Sequence, residues 1–310
     1  MTIAFFTEMG FEGKIPRDHP NMRTEFAWMC KLNADHYPLN KIPNINYDLG
    51  IVINSKKHSD QVNVEGLKKV CSKVGVMQEG PFWLFQDYDL TKQINYFNNL
   101  TSADIIYAHN EQDKEYYKGL TGHPDVRVLP SLMIEDPIDT YTLTHINDRK
   151  GIMIGGNFVS WYGGFDSFML ASSVTKDIRS PKMGRAIEGE QELGINQLPY
   201  LQWNKWIQAL SDCKIGIHMM RTHAAGTFAL NCSYLGIPCI GYEGLDTQRI
   251  LHPNLTVKDG DLNTAKSILN NLWNDLDYYK ENSTLTQKLY KEKYNEDKFY
   301  TTFKEQFKVS

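Results

Sequence analysis

The amino-acid sequence predicts an α/β protein built from two Rossmann-like domains. Its 310 residues are more than one hydrophobic core typically supports, and they suit two domains of about 150 residues each. Short apolar runs alternate with helical patterns along the chain, as expected for parallel sheets covered by helices. A strand over 150–154 runs directly into Gly155-Gly156-Asn157, which is how a second Rossmann-like unit would open.

The first domain is predicted to span residues 1–147. Its expected strands are apolar runs, at 2–7, 49–54, 83–86, 105–109 and 126–129. Its expected helices carry apolar residues at helical spacing, at 22–32, 64–74, 91–100 and 111–120. The stretch 134–147 contains Pro137, many Thr and Asp residues and little periodicity. We therefore interpret it as the linker between the domains.

The second domain is predicted to span residues 148–285. An amphipathic helix at 204–211 precedes a buried strand at 214–220, a helix opened by Gly226-Thr227 and a strand at 239–242. A helix that begins at a glycine after a parallel strand presents free N–H groups and the positive end of its dipole. Such an end suits a phosphate, although a generic α/β unit has the same pattern.

The composition is that of an ordinary globular protein, with 41% hydrophobic residues, 23% charged residues and a net charge of −4. No apolar run approaches the roughly 20 residues that a membrane helix needs, so no membrane partner is expected. The N-terminal segment lacks the basic start of a secretory signal. The cysteines show no CxxC spacing, which indicates reduced thiols and a cytoplasmic protein.

The stretch 223–240 (HAAGTFALNCSYLGIPCI) resembles the donor-binding segment of GT-B glycosyltransferases, where Glu-x7-Glu-Ala-x-x-x-Gly-x-Pro-Val-Ile grips a nucleotide sugar. The glycine and Gly-x-Pro-x-Ile landmarks match, whereas His223 and Asn231 replace the two glutamates. The resemblance implies two facing Rossmann-like domains and a C-terminal helix, at 286–310, that crosses back to the first domain. It also implies a nucleotide diphosphate sugar as donor substrate, with a UDP-sugar as the family expectation.

The candidate donor-binding residues follow strand ends of the second domain. Asn231 could still hydrogen-bond a ribose hydroxyl, and an arginine could pair with diphosphate oxygens. His218 is interpreted as a core histidine with satisfied hydrogen bonds. The residues predicted to bind the donor are Gly155, Gly156, Asn157, Arg185, Arg221, Gly226, Thr227 and Asn231.

Catalytic groups are expected in the cleft between the two sheets. The long polar loop over 8–23 offers Glu8, Asp18 and His19 as acid/base groups, and cations that could stabilise a departing diphosphate. The alternative is that Asp18 caps the next helix and the others are solvated. Asp87, at the end of the expected strand 83–86, is the preferred acid/base residue.

No metal site or tightly bound cofactor is predicted. Asp87-Tyr88-Asp89 has Asp-x-Asp spacing but falls in the presumed acceptor domain. A divalent metal is therefore expected to be dispensable or only to assist.

Three short stretches, at 103–110, 85–87 and 303–307, resemble the enzymes by which T-even-like bacteriophages glycosylate hydroxymethylcytosine in DNA. This resemblance implies double-stranded DNA carrying 5-hydroxymethylcytosine as the acceptor, with the modified base exposed into the cleft, and the host cytoplasm as location. The basic clusters at 56–57, 68–73 and 149–150 fit a phosphate-tracking surface and equally fit solvated helix faces.

Three alternatives stay open. The first is a glycosyltransferase that acts on a glycan or another small acceptor. The second is a nucleotide-sugar epimerase of the same fold. The third is a binding protein that has lost catalysis, which the missing glutamates at 223 and 231 favour.

Overall fold

The computed structural model describes residues 1–55, 58–139, 141–156, 158–181 and 189–307. The strands of the first sheet are β1 (Ile3–Thr7), β2 (Asp35–Pro38), β3 (Tyr47–Asn54), β4 (Cys71–Gln78), β5 (Ile105–Ala108) and β6 (Val126–Val128). The strands of the second sheet are β7 (Ile152–Ile154), β8 (Ile178–Pro181), β9 (Asn196–Leu198), β10 (Ile215–His218), β11 (Cys239–Tyr242) and β12 (Thr256–Val257).

Helices cover both sheets and connect their strands. Those of the first half are α1 (Thr24–Lys31), α2 (Val64–Leu67), α3 (Leu90–Ser102), α4 (Glu111–Thr121) and α5 (Asp136–Asp139). Those of the second half are α6 (Gly164–Ser172), α7 (Trp203–Ser211), α8 (Thr227–Tyr234), α9 (Asp246–Leu251), α10 (Leu262–Asn274), α11 (Leu276–Lys293) and α12 (Glu296–Glu305). None of the described helices is both long enough and apolar enough to span a lipid bilayer.

Both sheets are parallel and have six described strands each. The first has the order β2-β1-β3-β4-β5-β6, and the second has the order β12-β11-β10-β7-β8-β9. From β9 to β12, the strands of the second sheet follow the Rossmann order 3-2-1-4-5-6. In this order the chain first proceeds from β7 towards one edge of the sheet and then from β10 towards the other. Ligands of open α/β sheets bind outside the carboxyl ends of the strands at such a reversal.

The core of each domain lies on both faces of its sheet. Phe5 and Phe6 are neighbours in β1, and their side chains point to opposite faces because strand side chains alternate. Phe5 packs in the cluster that contains Trp28 of α1, and Phe6 in the cluster that contains Tyr96 of α3. Burial on both faces explains why these strands are apolar without alternation.

The chain returns to the first domain at its C-terminal end, as predicted. Helix α11 places Tyr290 in the core of the second domain, and α12 places Phe299 and Phe303 in the core of the first. The single helix expected over 286–310 is, in its described part, the end of α11 followed by α12. Asn295 begins the second of them, because its side chain accepts a hydrogen bond from the backbone N–H of Lys298 at 2.7 Å.

The two passages of the chain between the domains touch one another. The Glu135 N–H donates to Oε1 of Glu296 at 3.0 Å, and the Glu296 N–H donates to Oε1 of Glu135 at 3.3 Å. Arg17, from the first domain, pairs with Asp136 beside the first passage and with Glu296 beside the second. We call this cluster the crossing point.

Two predictions for the first domain are wrong. The run over 83–86 is not a strand but part of a 3₁₀ turn, Leu84–Asp87, and the helix expected over 64–74 ends at Leu67. The next residues form β4, which pairs with β3 and β5. Pairing on both sides overrides the helical spacing of the local apolar residues.

Candidate active site

A cavity of about 500 Å³ lies between the domains, at the carboxyl ends of both sheets. This volume is within the range of small-molecule sites. Residues 20–25, 79–81, 109 and 132–133 form its N-terminal wall, and residues 155, 161–162, 181, 218, 220, 224–228 and 230–231 form its C-terminal wall. Residues 199–201, 203 and 206 complete the lining. The predicted cleft is therefore present, with both domains contributing to it.

The N-terminal wall carries one arginine among three carboxylates. Arg23 lies 3.0 Å from Glu25, 3.0 Å from Glu79 and 3.4 Å from Glu8. These carboxylates, Glu25 first, raise the pKa of Arg23, and burial together with Glu8 raises the pKa of Glu79. Among the described lining residues Arg23 is the only lysine or arginine. Its charge is already more than neutralised by its neighbours.

The C-terminal wall contains the N-terminus of α8. Gly226 precedes this helix with φ +72°, and no described side chain caps the first turn. An added Cβ at Gly226 would collide with Oγ1 of Thr247, so both the conformation and the space require glycine. Thr227 is exposed to the cavity, and Asn231, one turn later, lines it with 3% of its surface exposed. The structure thus brings these three predicted residues together.

Two glycines follow β7 beside this helix. A Cβ on Gly155 would collide with the ring of Phe228, and one on Gly156 would lie 2.9 Å from the carbonyl oxygen of Tyr162. Gly155 lines the cavity. Neither residue can carry a side chain without displacing its neighbours. Of the other predicted donor-binding residues, Asn157 and Arg185 lie outside the described part of the chain.

His218 ends β10 and is 5% exposed at the cavity. Neither ring nitrogen has a hydrogen-bond partner among the described residues. The rings of Phe228 and Tyr162 lie 5.5 Å and 6.5 Å away, and burial lowers the pKa of His218 to about 4. The interpretation of His218 as a satisfied core histidine is therefore wrong, because the ring is buried but unsatisfied.

A second histidine lines the opposite wall. His109 follows β5, and its Nδ1 has no partner among the described residues. Its ring stacks at 6.1 Å on Trp28, and burial lowers its pKa. Sequence reasoning placed His109 at a strand end but assigned it no role. The signal that could have identified it is the convergence of parallel strand ends at one edge.

The acids of the first loop do not line the cavity. Glu8 pairs with Arg23 behind the wall, and Asp18 is exposed in a turn. Asp18 does not cap α1, since the capping position belongs to Arg23. His19 accepts a hydrogen bond from the Asn21 N–H at 3.1 Å and packs edge-on against Phe26. The loop instead presents residues 20–23 to the cavity.

Asp87 is also placed differently from the prediction. It is exposed at the end of the 3₁₀ turn and is absent from the cavity lining. Because no strand ends here, the reason for expecting its carboxylate in the cleft is wrong. Asp89 caps α3 by accepting from the Lys92 N–H at 3.0 Å. Within the described ranges, no group of three or more His, Cys, Asp or Glu side chains could hold a metal ion.

Arg221 makes a surface ion pair instead of lining the cavity. It is 48% exposed and lies 2.5 Å from Oδ2 of Asp166, which also accepts from the Tyr242 hydroxyl at 3.1 Å. This pairing raises the pKa of the Arg221 guanidinium. The structure therefore does not bring Arg221 to the other donor-binding candidates.

His223, which stands where the GT-B motif has its first glutamate, makes contacts between the two domains. Nδ1 of His223 lies 3.3 Å from Oδ1 of Asp113, and its ring lies 5.5 Å from that of Phe82. Trp83 adds a second contact by donating its indole N–H to Oγ1 of Thr222 at 2.7 Å. These contacts join the two domains.

The two facing Rossmann-like domains and the returning helix define the GT-B fold. A sucrose-phosphate synthase from Thermosynechococcus elongatus superposes with a TM-score of 0.70 at 11% identity, covering 99% of this chain and 98% of that one. An OtsA structure without ligand gives 0.69 at 8%, covering 100% of both chains. Anabaena HepE in complex with UDP and glucose gives 0.68 at 10%, covering 98% and 99%.

At these identities the likeness shows the fold alone. No protein-family model matches the chain, and no curated protein sequence matches it either.

Proposed function

We propose that this protein is a glycosyltransferase that binds a nucleotide diphosphate sugar in the interdomain cavity and transfers the sugar to a hydroxyl group. The observation that carries the proposal is the uncapped N-terminus of α8, which opens into the cavity beside Thr227 and Asn231. Support also comes from the structural neighbours, which include a sucrose-phosphate synthase and a HepE complex with UDP and glucose. A UDP-sugar is the first donor to test.

In this proposal the C-terminal wall binds the donor. The first N–H groups of α8 and its dipole receive the diphosphate, and Gly155 lines the cavity beside them. Asn231 hydrogen-bonds a sugar hydroxyl of the nucleoside. When the bond between the sugar carbon and the diphosphate oxygen breaks, the same N–H groups stabilise the leaving charge.

The acceptor then lies against the N-terminal wall. Its hydroxyl oxygen forms the new bond to the sugar carbon, and its proton passes to a base. Glu79 suits that role better than Asp87, because it lines the cavity and its pKa is raised by burial and by Glu8. Glu8, Asp18 and His19 stay candidates of the adjacent loop. The proposal assigns no metal, so activity is measured both with Mg²⁺ and with EDTA.

Two acceptor classes follow from different observations. The excess of carboxylates around Arg23 favours a small neutral polyol. The finer hypothesis of 5-hydroxymethylcytosine in phage DNA rests on the resemblance at 103–110, a segment that contains the cavity-lining His109. Of its expected phosphate-tracking cations, Lys68 pairs with Asp104, and Arg149 donates to the carbonyl groups of Leu235 and Gly236.

The donor site is tested with Thr227→Glu and its neutral counterpart Thr227→Gln. A carboxylate in the first turn of α8 interacts favourably with the helix dipole and so does not destabilise the helix, but it repels a diphosphate. We expect Thr227→Glu to weaken UDP binding at least tenfold, measured by calorimetry, without lowering the melting temperature. Thr227→Gln should bind close to the wild-type level. Equal UDP affinity in both variants would contradict the proposed donor site.

The reaction is tested by incubating the wild-type protein with UDP-sugars and either hydroxymethylated DNA or small polyols. Acceptor-dependent release of UDP supports transfer, and the glycosylated product identifies the acceptor class. An altered sugar without any acceptor would indicate an epimerase. Binding of UDP without turnover of any nucleotide sugar would indicate a binding protein and overturn the transferase proposal.

A further inference from the structure

We propose that His218 binds the donor as a neutral imidazole, donating one N–H to a phosphate oxygen and accepting a hydrogen bond from a hydroxyl group of the same ligand. This inference rests on the proposed function and adds a donor-binding residue that neither the family motif nor the sequence pattern assigns.

The fold puts His218 at the reversal of the second sheet. Strands β10 and β7 pair with Ile217 opposite Ile154, and the Gly155 N–H donates to the Ile217 carbonyl group at 2.8 Å. His218 therefore stands directly beside the two glycines. A Cβ on Gly156 would lie 3.4 Å from its Nε2. Gly155 and His218 both line the cavity, so a ligand bound at this strand end would contact the imidazole.

A second buried histidine of the same domain shows what a satisfied ring looks like. His252 is 1% exposed, and burial also lowers its pKa to about 4. Its Nε2 lies 3.0 Å from the Ala229 carbonyl oxygen, and its Nδ1 lies 3.0 Å from Oγ1 of Thr286. His218 has the same burial and none of these partners among the described residues. It differs from His252 in lining the cavity.

Buried polar groups without partners are rare because leaving them unpaired is unfavourable. A neutral imidazole has one donor and one acceptor nitrogen. It is therefore satisfied by a ligand that offers an acceptor and a donor close together. A nucleotide diphosphate sugar offers phosphate oxygens next to sugar hydroxyls. A free nucleoside or a divalent cation offers only part of this set.

The charges around the cavity point to the same ligand-binding mode. The C-terminal wall has no charged side chain among its described lining residues, and Arg23 on the other wall is paired with carboxylates. Among the described lining residues, uncharged dipoles are then the groups placed to receive the diphosphate. These are the N–H groups of α8 and the imidazole of His218.

The test compares His218→Leu, His218→Asn and His252→Leu, with UDP as the probe. His218→Leu should weaken UDP binding about 10- to 100-fold, the value of a hydrogen bond to a charged group. Without ligand its melting temperature should stay unchanged or rise, because an unsatisfied polar ring is removed. His218→Asn should retain part of the affinity. His252→Leu should lower the melting temperature and leave the UDP affinity within about threefold.

An independent readout is the ¹⁵N spectrum of histidine-labelled protein. Addition of UDP should shift both ring nitrogens of His218 while keeping the neutral form, and His252 should not respond. If the wild-type protein binds UDP and His218→Leu binds it equally well, this inference is overturned and the proposed donor site stands. If His218→Leu melts several degrees lower without ligand, the ring is a structural core group and the inference is again overturned. Absence of any nucleotide diphosphate binding by the wild-type protein overturns both.

Discussion

The two walls of the interdomain cavity differ in charge, although each contains a buried histidine with an unpaired ring nitrogen. On the N-terminal wall, Arg23 is in contact with Glu8, Glu25 and Glu79, so its charge is satisfied within the protein. On the C-terminal wall, the described lining residues carry no charge. No described side chain caps the first turn of α8, and the His218 ring has no hydrogen-bond partner among the described residues.

This difference indicates which wall is suited to binding an anion. Paired charges are part of the folded framework and gain little from a new anion. Unpaired dipoles at a helix terminus and at a strand end are unfavourable until an anion and a hydroxyl group reach them. We therefore expect ligand binding and protein stability to respond separately to changes on the two walls.

The largest expected effect is that of pH. The pKa values of His218 and His252 are lowered to about 4 in the folded protein, against about 6.5 when unfolded. As the pH falls from 6.5 towards 4, the unfolded chain takes up protons that the folded chain does not. The free energy of unfolding is therefore highest above pH 6.5 with respect to these two histidines. Below pH 6.5 it decreases by up to about 1.4 kcal/mol per pH unit for each histidine.

The measurement is the free energy of urea unfolding at pH 7, 6 and 5. The variant His218→Leu lacks one titrating ring. The slope of its free energy of unfolding against pH should therefore be smaller by the contribution of one histidine. The raised pKa of Glu79 acts in the opposite direction and is common to both proteins. An unchanged slope in His218→Leu would mean that the ring titrates normally, and the contrast between the walls would fail.

The next effect is on the charged wall. Arg23→Met leaves three partly buried carboxylates without their cation, and we expect a loss of about 2 to 4 kcal/mol in the free energy of unfolding. Lys92→Met, which removes an exposed pair with Asp89, should lower the free energy of unfolding far less, because exposed ion pairs contribute little. Equal losses in the two variants would show that the charges of this wall are solvated and not part of the framework.

A smaller effect is expected at the start of α8. Gly226→Ala forces a side chain into a left-handed conformation and against Thr247, so we expect a loss of about 2 to 3 kcal/mol. Gly189 has a similar φ of +83° but no atom of the described residues within 4 Å of an added Cβ, and Gly189→Ala should lose only about 1 kcal/mol. Thermal unfolding of both variants measures the part that comes from the contact with Thr247.

The smallest effect concerns the cation next to the uncharged wall. Arg221→Gln removes an exposed ion pair with Asp166 and should change the free energy of unfolding by less than about 1 kcal/mol. The affinity for UDP should not change, because Arg221 does not line the cavity. A tenfold weaker UDP binding would return Arg221 to the donor site, as the sequence predicted.

The uncharged wall could largely be predicted from the sequence. Helix α8 is local: a glycine at positive φ opens it, and Gly236 and Pro238 end it before the next strand. Gly155, Gly226, Thr227 and Asn231 come together because parallel strand ends meet at one edge of a sheet. The unsatisfied state of His218 could not be predicted, since it depends on which atoms of distant elements lie near the ring.

The charged wall could not be predicted, because it depends on long-range pairing. Arg23 and Glu79 are 56 positions apart, and nothing near either residue indicates the other. Asp87 was misplaced for a different reason. An apolar run such as that over 83–86 suits a 3₁₀ turn as well as a strand, and only the pairing of β4 decides between them.

The crossing point has a mechanical consequence. Both covalent connections between the domains pass through one small cluster, where Glu135 and Glu296 hydrogen-bond each other's backbone and Arg17 joins them. Two domains that are connected at a single hinge can rotate relative to each other, but they cannot translate or separate. We therefore expect any change in the width of the cleft to be a rotation about this cluster.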